Sequence, residues 1–295
     1  MAAAHYSPDL SSLCLRSRLP MGCTKPIPPV WKTSELLGGA AGVGYLDFAD
    51  AADLVFGVTQ FDVQAKAAGV FVLSGVRSFP VLTAAVLRET AEAMDIVAVE
   101  GGIAPSPNAG IGLNVMRAVV GYAGAPVKLW RNGRQAYGIG LAGSMRFTIA
   151  VPGRLALRNI HSSLIDVPDL QVIPPEHETL TGIWMGAGPV PESLHRILNL
   201  LAKMRRRFGL PSLVPFSRIF YAVLNRMRSG EHRGGMFVRA RGIADGRGHS
   251  RVGVFWPKGM MGHTSLRWQS RLSSANGRTV CVHPQEHVRA SMHSN

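Results

Sequence analysis

From Gly44 onward the alternation of apolar and polar positions becomes regular, and it spells out elements in a definite order. Gly44–Phe48 is strand-like. Asp53 to Ala68 carries a helical period closed by Gly69, a residue type that ends helices because it enters the left-handed region without strain. Val70–Leu73 is a short apolar run of the buried parallel-strand type, ending at Ser74-Gly75. Ser78-Phe79-Pro80 opens a helix that runs to about Met94, with Ser as a cap and Pro in the first turn. Ile96–Val99 is another strand. The resulting β-α-β-α-β order predicts a parallel sheet with helices on its faces.

Beyond residue 100 the pattern changes. Gly110–Tyr122 reads as a helix. Val127–Trp130, Arg131-Asn132-Gly133-Arg134 and Gln135–Tyr137 read as a hairpin, since Asn-Gly suits a type I′ turn. Strand-like pieces follow at Met145–Val151, Leu170–Ile173 and Thr181–Met185. Two amphipathic helices come next, with Leu194, Ile197, Leu198, Leu201, Met204 and Phe208 on the first. Phe216, Ile219, Phe220, Val223, Leu224 and Met227 mark the second. Gly235–Ala240 is a last clear strand. The fold class expected is α/β: a partial Rossmann-like parallel sheet, then an α+β domain with a mixed or antiparallel sheet. The expected divisions are 1–40 irregular, 41–100 sheet remnant, 101–252 α+β domain and 253–295 irregular.

The 295-residue chain is 46% hydrophobic and 17% charged, enough for a sizeable core. No run of 18 apolar residues appears, and the N-terminal stretch lacks the pattern of a signal peptide. Cys14, Cys23 and Cys281 show no metal-site spacing and fit a reducing compartment. A cytoplasmic location, peripheral to a membrane at most, is the expectation. The formal net charge is +14, and it is local. Residues 41–195 carry 10 Lys/Arg against 13 Asp/Glu, whereas residues 196–244 carry 11 against one, Glu231.

Several phrases, in this order, carry a resemblance: GYLDFAD at Gly44–Asp50, AGVFVLSGVRSFPVL at Ala68–Leu82, EGGIAPSP at Glu100–Pro107, APVKLWRNGR at Ala125–Arg134 and GGMFVRARG at Gly234–Gly242. Together the chain resembles the saccharopine-dehydrogenase-like NAD(P) oxidoreductases over roughly 210 residues, about two thirds of its length. The resemblance implies a Rossmann domain followed by a mixed domain over the cofactor cleft. It also implies hydride transfer between NAD or NADP and a small-molecule substrate. The family's opening strand, G-x-G-x-x-G turn and helix are absent from residues 1–40. Cofactor binding is therefore expected to be impaired, because those glycines let the backbone approach the pyrophosphate. The formal match Gly138–Gly143 follows a hairpin and precedes a strand-like run, so it is not taken as that fingerprint. The tail departs as well. Gly262–Asn276, back-translated with one legal choice of third bases and read one base earlier, gives PYIPSMAIEALIRK, which resembles the family's own C-terminal phrase. A frameshift near Arg251–Val254 is the expectation.

The cofactor-binding candidates that follow are Asp50, Ser74, Gly75, Ser78 and Pro80, at the carboxyl ends of predicted parallel strands and a helix start. Asp47 is a weaker one. The alternative for each is ordinary capping and turn chemistry. Glu100-Gly101-Gly102 and Ala104–Asn108 are read as a cleft-lining loop or a hinge. His161, His177 and His195 have no nucleophile or metal partner in sequence, so structural or surface roles are preferred. Arg196, Arg205, Arg206, Arg207, Arg218, Arg226 and Arg228 lie on the two amphipathic helices. A solvated face over a packed apolar stripe is preferred there, an anionic membrane surface comes second, and nucleic acid is not expected. The alternative to the oxidoreductase is thus a non-enzymatic membrane-surface or scaffold protein acting through 192–228.

Overall fold

The computed structural model describes residues 44–49, 52–106, 112–150, 155–189, 192–226 and 233–257, with short strands at 264–265, 271–273 and 279–281. The chain divides into two compact units, one of residues 1–49 and 53–76, the other of 50–52 and 77–295. The sequence places this boundary near residue 100; the structure places it at Val76/Arg77.

In the first unit, β1 (Tyr45–Leu46) and β2 (Val72–Leu73) pair in parallel, Tyr45 opposite Val72. Helical segments connect them: α1 (Ala52–Gly57), a 3-10 turn (Val58–Phe61) and α2 (Asp62–Ala67). The single helix expected over 53–68 is therefore broken. Gly69 does follow it at φ 64°, the left-handed stop read from the sequence. Phe61 is buried against Tyr45, Val58 and Val72.

The second unit is built on a nine-stranded mixed sheet. It opens with α3 (Ser78–Ala91), whose N-cap is Arg77 without a side-chain cap bond, so Ser78 does not take the cap position. Phe79 keeps an extended backbone (φ −78°, ψ 146°), which leaves Pro80 to begin the regular helix. Next comes β3 (Asp95–Ala104). This strand was expected to extend the parallel sheet of β1 and β2. Instead it pairs in parallel with β8 (Gly182–Ala187) and antiparallel with β9 (Gly235–Ala244). Glu100, Gly101 and Gly102 thus lie inside a central strand, not in a cleft loop. Glu100 pairs across the sheet with Arg239 at 3.2 Å and Arg241 at 2.5 Å.

The helix α4 (Leu113–Tyr122) precedes the hairpin β4 (Pro126–Arg131) and β5 (Arg134–Ile139). Asn132 and Gly133 both have positive φ, as a type I′ turn requires. Gly138–Gly143 lies at the end of β5 and in the turn before β6 (Ser144–Ile149), so it opens no helix. The strand β6 pairs with β7 (Leu157–Leu164), an element the sequence pattern did not reveal. Leu170–Ile173, expected as a strand, lies in α5 (Asp169–Glu176). A four-residue apolar run fits a buried helix turn as well as a strand. The Pro174-Pro175 pair lies in that helix's last turn.

The amphipathic pair is present as α6 (Glu192–Phe208) and α7 (Ser217–Arg226). The strand β9 runs four residues beyond Ala240. It turns through Asp245-Gly246, again at positive φ, into β10 (Arg247–Pro257). Regular structure does not stop at residue 253 as expected but continues to Pro257, with Val254 and Phe255 buried on opposite faces of the sheet. Two-residue β11 (Thr264–Ser265) adds to β10, and β12 (Arg271–Ser273) pairs with β13 (Thr279–Cys281).

Alternation along the strands sends side chains into two cores. Val86 and Leu87 of α3 and Leu170 and Ile173 of α5 pack on one face, over Val99, Met185 and Val238. Phe147 and Ile149 of β6 cover Phe237 and Val254 on the other. A third cluster joins Ala123, Leu141, Leu198 and Ala202 and holds α6 to the turns beside α4 and β5.

Candidate functional site

The expected cofactor site is divided by the fold. Ser74 and Gly75 belong to the first unit, Ser78 and Pro80 open α3 in the second, and Asp50 lies outside the described residues. In the first unit the chemistry centres on Asp47, just past β1. Its Oδ1 accepts from the Ser74 hydroxyl (2.7 Å) and from the backbone N–H of Ala49 (2.9 Å) and Gly75 (3.0 Å). Its Oδ2 accepts from the Tyr45 hydroxyl at 2.8 Å. Burial works to raise the Asp47 pKa, but these four donors outweigh it and hold the carboxyl below its ordinary value. Gly75, at φ 74°, makes the turn that brings its N–H inward. The donors of Ser74 and Gly75 are thus committed to a side chain of their own unit.

A denser cluster of polar side chains lies in the second unit, between β7 and α6. His161 and Ser163 are two residues apart on β7 and share a face. On α6, Arg196, Asn199, Leu200 and Lys203 recur at three- and four-residue steps and share another. The Asn199 amide nitrogen donates to the Ser163 hydroxyl (2.8 Å) and to the Leu141 carbonyl (2.5 Å). Both amide hydrogens are then used. Its amide oxygen faces His161 Nε2 at 3.0 Å and can only accept, so in the neutral ring Nε2 carries the proton and Nδ1 the lone pair.

His195 stands beside this pair, its ring centroid 4.9 Å from that of His161. It is 1% exposed, with the His161 backbone beside its ring. Burial, reinforced by the neighbouring His161, pushes its pKa down to about 4, so the ring is neutral at pH 7. At the mouth of the cluster Glu192 accepts from Arg146 (2.7 Å) and Arg196 (2.9 Å), and these bonds hold its carboxyl below the usual range. A cavity of about 250 Å³ opens here, lined by Ala142, Ser144, His161, Arg196, Asn199, Leu200 and Lys203. Two positive side chains and a basic imidazole nitrogen meet in it, with no carboxylate in the lining. Among the described residues no group of three His, Cys, Asp or Glu is placed to hold a metal ion.

His177, the third histidine considered, is the C-cap of α5 and takes no part; burial lowers its pKa. His161 and His195 were read singly from the sequence, without a partner. The missing signal was Asn199, and the strand that carries His161 was itself hidden.

The arginines separate into distinct roles. Arg205 is structural: its guanidinium donates to the carbonyls of Gly121 (2.9 Å) and Ala123 (2.6 Å) at the end of α4. Arg206, Arg207, Arg218 and Arg226 are exposed, and Arg228 lies outside the described residues. The apolar stripe beneath them is only partly packed. Leu194 and Leu198 are buried, but Ile197, Leu200, Met204 and Phe208 of α6 face solvent, as do Phe216, Ile219 and Val223 around α7. The preferred reading, a packed stripe under a solvated face, is corrected to that extent. The apolar arc of α6 is wider than the seam it buries.

No family model and no curated protein sequence matches this chain.

Proposed function

We propose that the chain descends from the saccharopine-dehydrogenase-like NAD(P) oxidoreductases, with its cofactor grip impaired. The ancestral reaction is hydride transfer between NAD or NADP and a small-molecule substrate. The observation that carries this reading is the parallel β1–β2 pair, joined through helices, with Asp47 at its carboxyl edge. That is the edge where ligands of open α/β sheets bind, and a Rossmann character for the first unit is part of the proposal. Impairment follows from the donors: those of Ser74 and Gly75 are committed to Asp47, and no glycine-rich turn opens a helix among the described residues. Titration with NADH and NADPH, followed by saturation-transfer NMR, tests it. Weak or absent binding is expected, and micromolar binding of either nucleotide would overturn the impairment.

A second reading is favoured by one observation, the solvent-facing apolar arc of α6 and α7 with arginines along it. In this reading the chain docks on an anionic membrane surface. Phe208, Phe216 and Ile219 would enter the headgroup boundary while Arg206, Arg207, Arg218 and Arg226 meet lipid phosphates. No helix among the described residues is long and apolar enough to cross a membrane, so the association is peripheral. Co-sedimentation with phosphatidylglycerol vesicles is expected, weakened by salt and by F208S/I219S. Equal recovery with neutral phosphatidylcholine vesicles would sink it.

A further inference from the structure

We infer that the cavity between β7 and α6 binds a phosphate-bearing anion. Its charge has a definite surplus. Glu192 is shared by Arg146 and Arg196, so that trio keeps one net positive charge, and no carboxylate pairs with Lys203 among the described residues. A pocket lined by cations without an acid favours an anionic guest.

The geometry favours phosphate over carboxylate. Nε and Nη2 of Arg196 are engaged by Glu192, so its side-on edge is taken and its Nη1 end remains for a guest. The remaining donors come from separate elements: Lys203 one to two turns along α6 from Arg196, and Ser144 at the start of β6. Donors converging from several directions suit a tetrahedral group with several oxygens. His161 adds an acceptor. Because the Asn199 oxygen accepts from Nε2–H, the neutral ring keeps its lone pair on Nδ1, which can receive the hydrogen of a monoprotonated phosphate. Asn199, 8% exposed and saturated by Ser163 and Leu141, holds that ring in place.

The cavity, at about 250 Å³, exceeds a bare phosphate. Ala142 and Leu200 supply an apolar side for a few carbons, so the guest is a phosphomonoester with a short carbon skeleton. Leu200 also belongs to the exposed apolar arc of α6. A free phosphoester and the headgroup of an anionic phospholipid therefore offer the same chemistry at this site. The lipid source alone rests on the membrane reading.

The test uses the full chain in two arms. In solution, calorimetric titration with inorganic phosphate and glycerol 3-phosphate is expected to show saturable binding, tighter for the ester. Lys203→Ala is expected to weaken it about tenfold, Lys203→Arg to recover most of it, and Arg134→Ala, the same charge loss on the β4–β5 hairpin, to leave it unchanged. Lys203 is exposed and Ala favours helices, so this variant folds. In the second arm the same proteins meet vesicles containing phosphatidic acid. Vesicle binding lost in Lys203→Ala and displaced by glycerol 3-phosphate assigns the site to a headgroup. Solution binding with vesicle binding insensitive to Lys203 assigns it to a free phosphoester. Absence of binding in both arms, or equal effects of Lys203→Ala and Arg134→Ala in both, overturns the proposal. Vesicle binding that responds to F208S/I219S but not to Lys203 overturns this site while leaving the membrane reading standing.

Discussion

The side-chain oxygen of Asn199 lies 3.0 Å from Nε2 of His161 and decides which tautomer that histidine adopts. The decision is made on α6 for a ring on β7, and it works because Asn199 has no hydrogen left to offer. Asn199 is also what ties β7, α6 and the Leu141 turn to one another. Asn199→Leu removes three hydrogen bonds and leaves the Leu141 carbonyl and Ser163 hydroxyl without this donor. A loss of roughly 2–4 kcal/mol is expected in urea unfolding, since each stranded buried group costs about 1–3 kcal/mol. Nitrogen-15 NMR of His161 in the folded variant is expected to show a mixture of tautomers where the parent shows Nε2–H alone. A single unchanged tautomer would mean that another group orients the ring.

Two buried groups oppose one another in their response to pH. Asp169 is fully buried in the first turn of α5, and burial raises its pKa to about 6, opposed by the Thr83 hydroxyl and by its own backbone N–H, which lower it. The folded state then holds its proton more tightly than the unfolded state. Stability falls as pH rises from about 4 to 6, by roughly 3 kcal/mol. His195 is held neutral, with a pKa near 4 against 6.5. Here the unfolded state binds the proton more tightly, and stability falls as pH drops from 6.5 to about 4 by a similar amount. Between pH 4 and 6 the two contributions nearly cancel. Asp169→Asn is expected to unmask a loss of stability on acidification, and His195→Phe a gain, in chemical denaturation across that window. Parallel pH profiles for the parent and both variants would refute the account.

Gly101 and Gly102 are adjacent on β3 but face different cores, so alanine should not be equivalent at the two sites. A Cβ on Gly102 would press on the rings of both Phe237 and Phe147, which already meet at a 50° tilt with centroids 4.8 Å apart. A Cβ on Gly101 meets mainly the sulfur of Met185, the end of a flexible side chain. Gly102→Ala is expected to cost about 2–3 kcal/mol and Gly101→Ala about 1 kcal/mol or less, read from thermal or urea midpoints. The reverse order would show that the Phe147–Phe237 contact yields more readily than Met185.

Where a feature depends on a few neighbouring residues, the sequence alone determined it. Asn132-Gly133 dictates a two-residue turn because both residues tolerate positive φ, and Asp245-Gly246 obeys the same rule. The stop at Gly69 and the existence of α6 and α7 follow from equally local chemistry and from a long, consistent period.

Partnership was decided only by the tertiary structure. Nothing in Ile96–Val99 says that its strand joins β8 and β9 rather than β1 and β2, because an apolar strand is equally at home in any buried sheet position. Leu170–Ile173 became a helix turn because it closes the core against α3. Leu157–Leu164 carries too many polar residues to read as a strand. Those polar residues are the ones that α6 meets, with Asn199 lying 38 positions beyond His161. Hydrogen-bond partners so far apart share no period and no motif, so this cluster exists only once the chain is folded.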